Sequence, residues 1–450
     1  MPSVPRSRPF DFALLLPQAR QEWIAAGLGL FWSVLVAAFY LVGFFDDAED
    51  ALLDWEQTVF ASTVPDPDFA LIAISRVPSD RPWPWPRLDY ALALRGLVPE
   101  HPQSVVFEMT MHDEDPRFSA FDASFRTLVD RTDAVVFAAA ALQAPGQEPL
   151  PDGVAALRLR GKPGHVANFG SFLWPVKTFA EGSPVGIANF SRDPSQVLRR
   201  VPLVFRLQNR IVPSLALTAA ATRLGADLSR SELVPGKRIV LRDGDGHALR
   251  VIPIDDEGRL RLRFRKPGLD LLRVNYDDFL LYADQAERDV VPAVDLRGFG
   301  KRQVWIGATD PSVSDPIRTA AGLRMPVEIQ LQATAQIVRN DVIVMMPKAA
   351  VVVLLLVSGL LLAYGTERLM LPGALAVVGG VAASIFVGGV LAFTVGNVAF
   401  PLVTYLVLAA GVVFCSRVAS AWEILPRSPE PGSEPRSEPT KAAEPAPPAP

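Results

Sequence analysis

Several groups of residues have types and spacings that chemistry requires. His112-Asp113-Glu114-Asp115 places an imidazole and three carboxylates in four consecutive positions. Acids crowded in sequence hold a divalent cation only when a loop positions them, and otherwise read as a solvated acidic loop. Asp243-Gly244-Asp245-Gly246 hints at a calcium loop, but it lacks the regular acid spacing and the closing glutamate. A hairpin turn is the better expectation there. Asp193, Arg199 and Arg200 read as a local charge-assisted turn. Arg76, Arg87, Glu108 and Asp310 are the remaining candidates, charged groups just beyond or beside apolar runs that read as strands.

None of these sets is catalytic. The sequence lacks Gly-x-Ser-x-Gly, His-Glu-x-x-His and a phosphate-binding glycine loop. Its four histidines, His101, His112, His165 and His247, share no spacing. The expectation is a protein that is not an enzyme and uses no metal or cofactor.

The elements that must position the candidates alternate. Phe69–Ile74, Ser104–Met109 and Ala134–Ala140 read as strands, with helices predicted over Leu88–Leu97 and Phe118–Asp130. This repetition predicts an α/β fold with a mixed, mainly parallel sheet covered by helices. Ligands of such sheets bind beyond the carboxyl ends of the strands. If the strands are neighbours, Arg76, Arg87, Glu108 and Asp310 converge on one rim and line a cleft for a small polar ligand. The alternative is that they cap helices and pair as ordinary loop charges. Trp83 and Trp85, set between prolines, are expected to wedge a rigid turn against the sheet.

Further on, Val185–Phe190 and Val201–Leu207 are predicted to pair around the polar turn 191–200. Ser214–Leu224 reads as a helix closed by Gly225. Residues 237–265 read as three short strands joined by hairpins at Asp243–Gly246 and Asp255–Gly258. Gln303–Ile306 is a last core strand, and Val327–Arg339 a helix leading out of the domain.

The whole middle of the chain lies between apolar segments, Ile24–Phe45 before it and Pro347–Tyr364, Leu369–Val395 and Val398–Phe414 after it. Each approaches the length that spans a bilayer, so four transmembrane helices are expected, one N-terminal and three C-terminal. Ile24–Phe45 is too long for a signal-peptide core and lacks a small-x-small cleavage site, so it reads as an uncleaved anchor. Arg6, Arg8, Arg20, Arg368 and Arg417 fall on one side, and Asp46, Asp47, Glu49 and Asp50 on the other. Positive residues mark the cytoplasmic face. The expected layout is a cytoplasmic lead (1–22), a span (23–45), an extracytoplasmic domain (46–346), a three-helix bundle (347–416) and a Pro-rich cytoplasmic tail (417–450) in the inner membrane. Gly380, Ser384 and Gly388 fall on one helix face, where small residues let backbones approach; packing within the bundle is expected over a dimer interface. Lys348, at the boundary of the first of the last three segments, argues mildly against this orientation but can snorkel to the interface; no Asp, Glu, Lys, Arg or His lies inside those three helices, which disfavours transport. The net charge of −4 gives no reason to invoke nucleic acid, and a single cysteine, Cys415, excludes an internal disulfide. Pro426–Pro450 has the composition of a disordered segment.

The middle of the chain resembles the second class of the CHASE domains, extracytoplasmic sensory modules of bacterial membrane receptors. The resemblance rests on the strand Phe69–Ile74, Trp83-Pro84-Trp85-Pro86-Arg87, the helix Leu88–Leu97, and Val105-Val106-Phe107-Glu108 followed by Asp113, Glu114 and Asp115-Pro116. It continues through Asp193–Leu203, Pro213–Leu217 and Ile306-Gly307-Ala308-Thr309, with Asp315 downstream. The chain departs from the family pattern at Ser75, Glu108, Ser195-Gln196 and Gln330. The resemblance implies a sensory receptor role, an unknown small-molecule or protein signal outside, and a cyclase or kinase as output. With only a short tail after the last segment, that output is expected from a cytoplasmic partner in trans, and a homo-oligomer is allowed. The rival expectation is a structural or scaffolding envelope protein with a ligand-blind ectodomain.

Overall fold

The computed structural model describes residues 20–60, 63–64, 66–81, 83–112, 119–143, 154–190, 196–264, 266–267, 271–367 and 369–422. In chain order the helices are α1 (Arg20–Leu41), α2 (Asp46–Val59), α3 (Arg87–Leu97), α4 (Ser119–Val129), α5 (Lys177–Ala180), α6 (Leu215–Leu224), α7 (Tyr276–Glu287), α8 (Pro326–Val338), α9 (Lys348–Glu367), α10 (Leu371–Gly396) and α11 (Leu402–Trp422). The strands that organise the molecule are β1 (Phe69–Ile74), β2 (Ser104–Thr110), β3 (Val135–Leu142), β4 (Ser171–Leu173), β5 (Val185–Ile187), β6 (Arg200–Pro202) and β7 (Asp227–Val234). They continue with β8 (Arg238–Arg242), β9 (Ala248–Pro253), β10 (Arg259–Arg261), β11 (Leu272–Asn275), β12 (Gln303–Ala308), β13 (Val344–Met345) and β14 (Val398–Ala399). Two compact units result: one built on the apolar helices, the other on Asp47–Met346 together with Gly388–Phe400.

The larger unit is α/β. Its main sheet runs β11-β1-β12-β2-β3, all parallel, and β3 also takes β5 in parallel and β4 antiparallel. Every residue of β1 and β12 is buried, as a strand with both faces covered requires. Alternation sorts the side chains. Ala70, Ile72, Ile74, Val105, Phe107, Val304 and Ile306 meet Tyr90 and Leu94 of α3, Phe125 of α4 and Phe279 of α7. Phe69, Leu71, Ala73, Val106 and Trp305 meet Leu215 and Ala219 of α6 and Val327 and Leu331 of α8. Trp85 is buried in the first of these cores, edge-on to Trp83 at 5.6 Å and 5.1 Å from Tyr276. Buried Gln303 is satisfied by donating to Ser104 Oγ and the Ala219 carbonyl, each at 2.9 Å, which ties two strands to α6.

Helix α6 has the termini the sequence announces: Ser214 Oγ accepts from the Leu217 amide, and Gly225 closes it at φ +67°. Two pairings differ from expectation. Val185–Ile187 joins the main sheet, while the segment after residue 200 divides between β6, paired with β10, and Val204–Leu207, paired with Arg210–Pro213. Asp243–Gly246 is the β8–β9 hairpin turn, with Asp243 Oδ1 accepting from the amides of Asp245 and His247. Asp255–Gly258 is not a hairpin, because β10 leaves β9 to pair with β6.

In the other unit, Trp23–Leu41, Lys348–Thr366 and Leu371–Gly396 are long and apolar enough to cross a membrane; Leu402–Val418 is a shorter apolar stretch. Helices α1, α9 and α11 pack on one another. A methyl group on Gly29 would strike Ala363, one on Gly359 the Ser33 side chain, and one on Gly411 the Trp32 ring. These glycines carry the close approach. The expected stripe does not: around Gly380 and Gly388 there is open space, and Ser384 is exposed, its hydroxyl bonding back to the Gly380 carbonyl. The small residues that matter lie on α1, α9 and α11. Arg417 donates to the carbonyls of Thr366 and Leu369, satisfying acceptors at the end of α9. The expected lead (1–22) falls largely, and the Pro-rich tail from 423 entirely, outside the described residues.

Candidate functional site

The carboxyl ends of β1, β12 and β2 are adjacent, since β12 pairs with both others. In doubly wound sheets, ligands are held outside this end of the strands. Arg76, Glu108 and Asp310 therefore share a rim, as the strand reading required. Arg87 does not join them. It opens α3 and turns to the opposite side of the sheet, its guanidinium 5.5 Å over the Phe179 ring and 3.9 Å from Asp122 of α4.

The rim residues have separate roles. Asp310 is committed: Oδ2 accepts from the Val77 amide at 2.6 Å and Oδ1 from the Ser312 amide at 2.9 Å. The Ser312 and Val77 amides hold its carboxyl below the ordinary range, and it fastens the loops after β1 and β12 together. Arg76 is exposed. Ser75 Oγ donates to Asn275 Oδ1 at 3.1 Å. Glu108 lies beside Gly307, one position past the last paired residues of β12 and β2, with Val327 of α8 against the same glycine. A Cβ on Gly307 would sit 3.2 Å from Glu108 Oε2 and against Val327, so glycine makes room for both. The residue is half-buried, yet burial of its carboxyl pushes the pKa to about 8. It is a neutral acid at pH 7, with no hydrogen bond among the described residues. Asp113, Glu114 and Asp115 lie outside the described residues, and Asp243, Asp245 and His247 form only the exposed hairpin turn.

A second constellation takes up two residues of the expected charge turn and gives them other partners. Arg199 and Arg200 reach α2: Arg199 Nε donates to Asp54 Oδ2 at 2.8 Å, and Arg200 Nη2 approaches Asp50 Oδ2 at 3.4 Å. Arg261 of β10 also pairs with Asp50. The partners that define these arginines are thus long-range, and Asp193, expected beside them, lies outside the described residues. Burial outweighs Arg199 and holds the Asp54 carboxyl above its ordinary value; burial also lowers Arg261, though an arginine stays charged at any accessible pH.

The segment 261–264 is gripped from three directions. From α2, Gln57 Oε1 accepts the Phe264 amide at 2.8 Å. From α8, Gln336 accepts the Arg263 amide at 3.0 Å and donates to the Arg261 carbonyl at 2.8 Å, while Gln332 donates to the Arg263 carbonyl at 2.7 Å. From the last turn of α10, Phe393 lies 4.9 Å under the Arg263 guanidinium, and Asn397, just after α10, holds Asp341 at 3.0 Å, 3.4 Å from that same guanidinium in turn. Leu53, Ile343, Phe393 and Ala399 form one small apolar cluster at this base, and β13 pairs with β14 there. The sequence carried one overlooked signal, Arg259-Leu260-Arg261-Leu262-Arg263, whose alternation puts basic groups on one strand face. Beside this segment, Glu56 of α2 is 4 % exposed and its Oε1 has no hydrogen-bond partner among the described residues. Burial, with Glu49 adding repulsion, raises its pKa to about 7.

Comparison with known proteins agrees with this architecture. The family model described as the CHASE2 domain matches residues 31–364. No curated protein and no solved structure matches the chain. CHASE2 domains are extracytoplasmic sensory domains. The match runs from the first apolar helix, through the α/β body, to α9. Spanning most of the chain and the whole of the sheet, it shows that the protein belongs to the CHASE2 domain family.

Proposed function

We propose that the protein is a bacterial inner-membrane sensor whose domain 46–346 lies outside the cytoplasm and signals through four membrane helices, α1, α9, α10 and α11. Both termini are then cytoplasmic, and the readout belongs to a partner in trans, a kinase or cyclase. The domain binds rather than transforms its ligand. The observation that carries the reading is the hub at 261–264. It bonds the helix that follows α1 and the helix that precedes α9 to one short segment of the sensory domain, and the last turn of α10 sets Phe393 beneath the same segment. A change at the sheet rim transmitted along α8 therefore shifts every chain connection to the membrane together. Such a shift needs a signal that binds one arrangement better than the other.

The test uses full-length protein in lipid nanodiscs with spin labels on α2 and α9. Periplasmic metabolites are screened for a rise in Tm, and each hit is examined for a changed label distance. A hit that raises Tm and leaves the distance unchanged refutes transmission through the hub. The second reading is a ligand-blind scaffold. Its support is that Asp310 and Arg87 already have partners within the fold. It predicts no hit at all.

A further inference from the structure

Five large apolar side chains stay exposed at the base of the larger unit. Trp55, Val59 and Phe60 lie on and just after α2, and Val344 and Met345 form β13, with exposures between 40 and 53 %. Trp55 and Phe60 meet edge-on at 5.9 Å, so this aromatic pair is ordered. The buried cluster of Leu53, Ile343, Phe393 and Ala399 joins their neighbours in sequence. The two sets of exposed residues thus flank one base. Other exposed apolar residues of this unit stand singly or as pairs on one element, such as Leu88 and Leu92 of α3, Val290 with Val291, and Leu391 with Val395 of α10, and scattered exposure of this kind is ordinary for a protein surface.

Three short connections tie that base to apolar helices: residues 42–45 before α2, 346–347 after β13 and 400–401 after β14. Wherever those helices enter a bilayer, the base cannot lie more than a few residues from its surface. Tryptophan and large apolar residues are favoured at the boundary between headgroups and acyl chains. Helix α2 (DDAEDALLDWEQTV) contains no lysine or arginine, so attraction to anionic lipid is not its mode of contact. We infer that Trp55, Val59, Phe60, Val344 and Met345 form a collar seated in the headgroup–acyl boundary of the bilayer, holding the hub against the membrane surface. The partner is lipid, engaged by apolar and aromatic contact.

The inference rests on the proposed membrane reading, and its test separates the two. Single cysteines replace Trp55, Val59 and Met345 in full-length protein carrying Cys415→Ser, and each is spin-labelled in phosphatidylcholine nanodiscs. Accessibility to oxygen, which concentrates in lipid, is compared with accessibility to a water-soluble nickel chelate. The three positions should show an oxygen-to-chelate ratio several-fold above that of Val291→Cys, where the native residue is 90 % exposed. A ratio equal to that at position 291 overturns the collar, and low access to both reagents overturns it in favour of a protein partner. Val34→Cys in α1 is the control. Lipid-like behaviour at 34 with water-like behaviour at 55, 59 and 345 sinks only the collar, whereas water-like behaviour at 34 sinks the membrane reading itself.

Discussion

Asp54 and Arg199 stand 145 positions apart in the chain and 2.8 Å apart in space. One lies on the first helix after α1, the other next to β6, so their ion pair fastens the start of the sensory unit to its middle. The pair is largely buried, and removing one partner strands the other in a poorly hydrated place. Asp54→Ala or Arg199→Ala should each cost about 3 kcal/mol. The double change Asp54→Leu with Arg199→Met should recover most of that loss, since apolar residues of similar size replace such pairs with little penalty. Thermal melts of all three variants in nanodiscs measure this; a loss in the double variant as large as the sum of the two single losses would show that the pair is not coupled.

Glu56 makes stability depend on pH. Its folded pKa, about 7, lies above the ordinary value of 4.5, so the folded state binds the proton more tightly than the unfolded state. Stability is then lost as pH rises from about 4.5 through 7 and levels off above. Glu56→Gln should abolish this dependence. Relative to the parent it should gain on the order of 3 kcal/mol at pH 8 and nothing near pH 4. Urea titrations at the two pH values decide it, and a gain of equal size at both would assign the effect to something other than the proton.

Glu108 should carry a proton at neutral pH. Its pKa is about 8, so the carbonyl band of a protonated carboxyl is expected in the infrared spectrum at pH 7, fading as pH passes 8. In a Glu56→Gln background, which removes the other carboxyl protonated near pH 7, Glu108→Gln should remove the band and leave stability at pH 7 nearly unchanged, because a neutral side chain replaces a neutral one. A band insensitive to this substitution would place the protonated acid elsewhere.

The glycines of the apolar bundle are unequal. Gly359→Leu and Gly411→Leu must push α1 away from α9 or α11, since Ser33 and Trp32 already fill that space. Each should lower the melting temperature by several degrees, consistent with overpacking costs of about 1–3 kcal/mol. Gly380→Leu, facing open space, should be neutral. Parallel melts of the three variants in one detergent suffice, and a destabilised Gly380→Leu would reveal packing on α10.

The parts legible in the sequence are those governed by local rules. Strand β1 and the centres of β2 and β12 (Val105–Phe107 and Val304–Ile306) announced themselves as apolar runs because both faces of the sheet are covered, and α6 was bounded by Ser214 and Gly225. Helix α7 and strand β11 were missed: Asp277, Asp278 and Asp284 dilute the apolar period, and only Tyr276, Phe279 and Ala283 of α7 are buried. At the rim, adjacency of Glu108 and Gly307 followed from strand order, but the occupation of Asp310 by the Val77 amide did not. The hub was invisible for a related reason. Asp50, Asp54, Arg199 and Arg261 look like ordinary surface charges until the topology brings remote segments together.

Strand β12 fills the gap between β1 and β2, although it is synthesised long after both. Until it arrives, those two strands cannot hydrogen-bond to each other in their final places, and each presents a bare apolar edge. The nascent chain must therefore wait, unfinished at its centre, while nearly the whole domain emerges. Any shielding it receives during biogenesis has to cover that open slot.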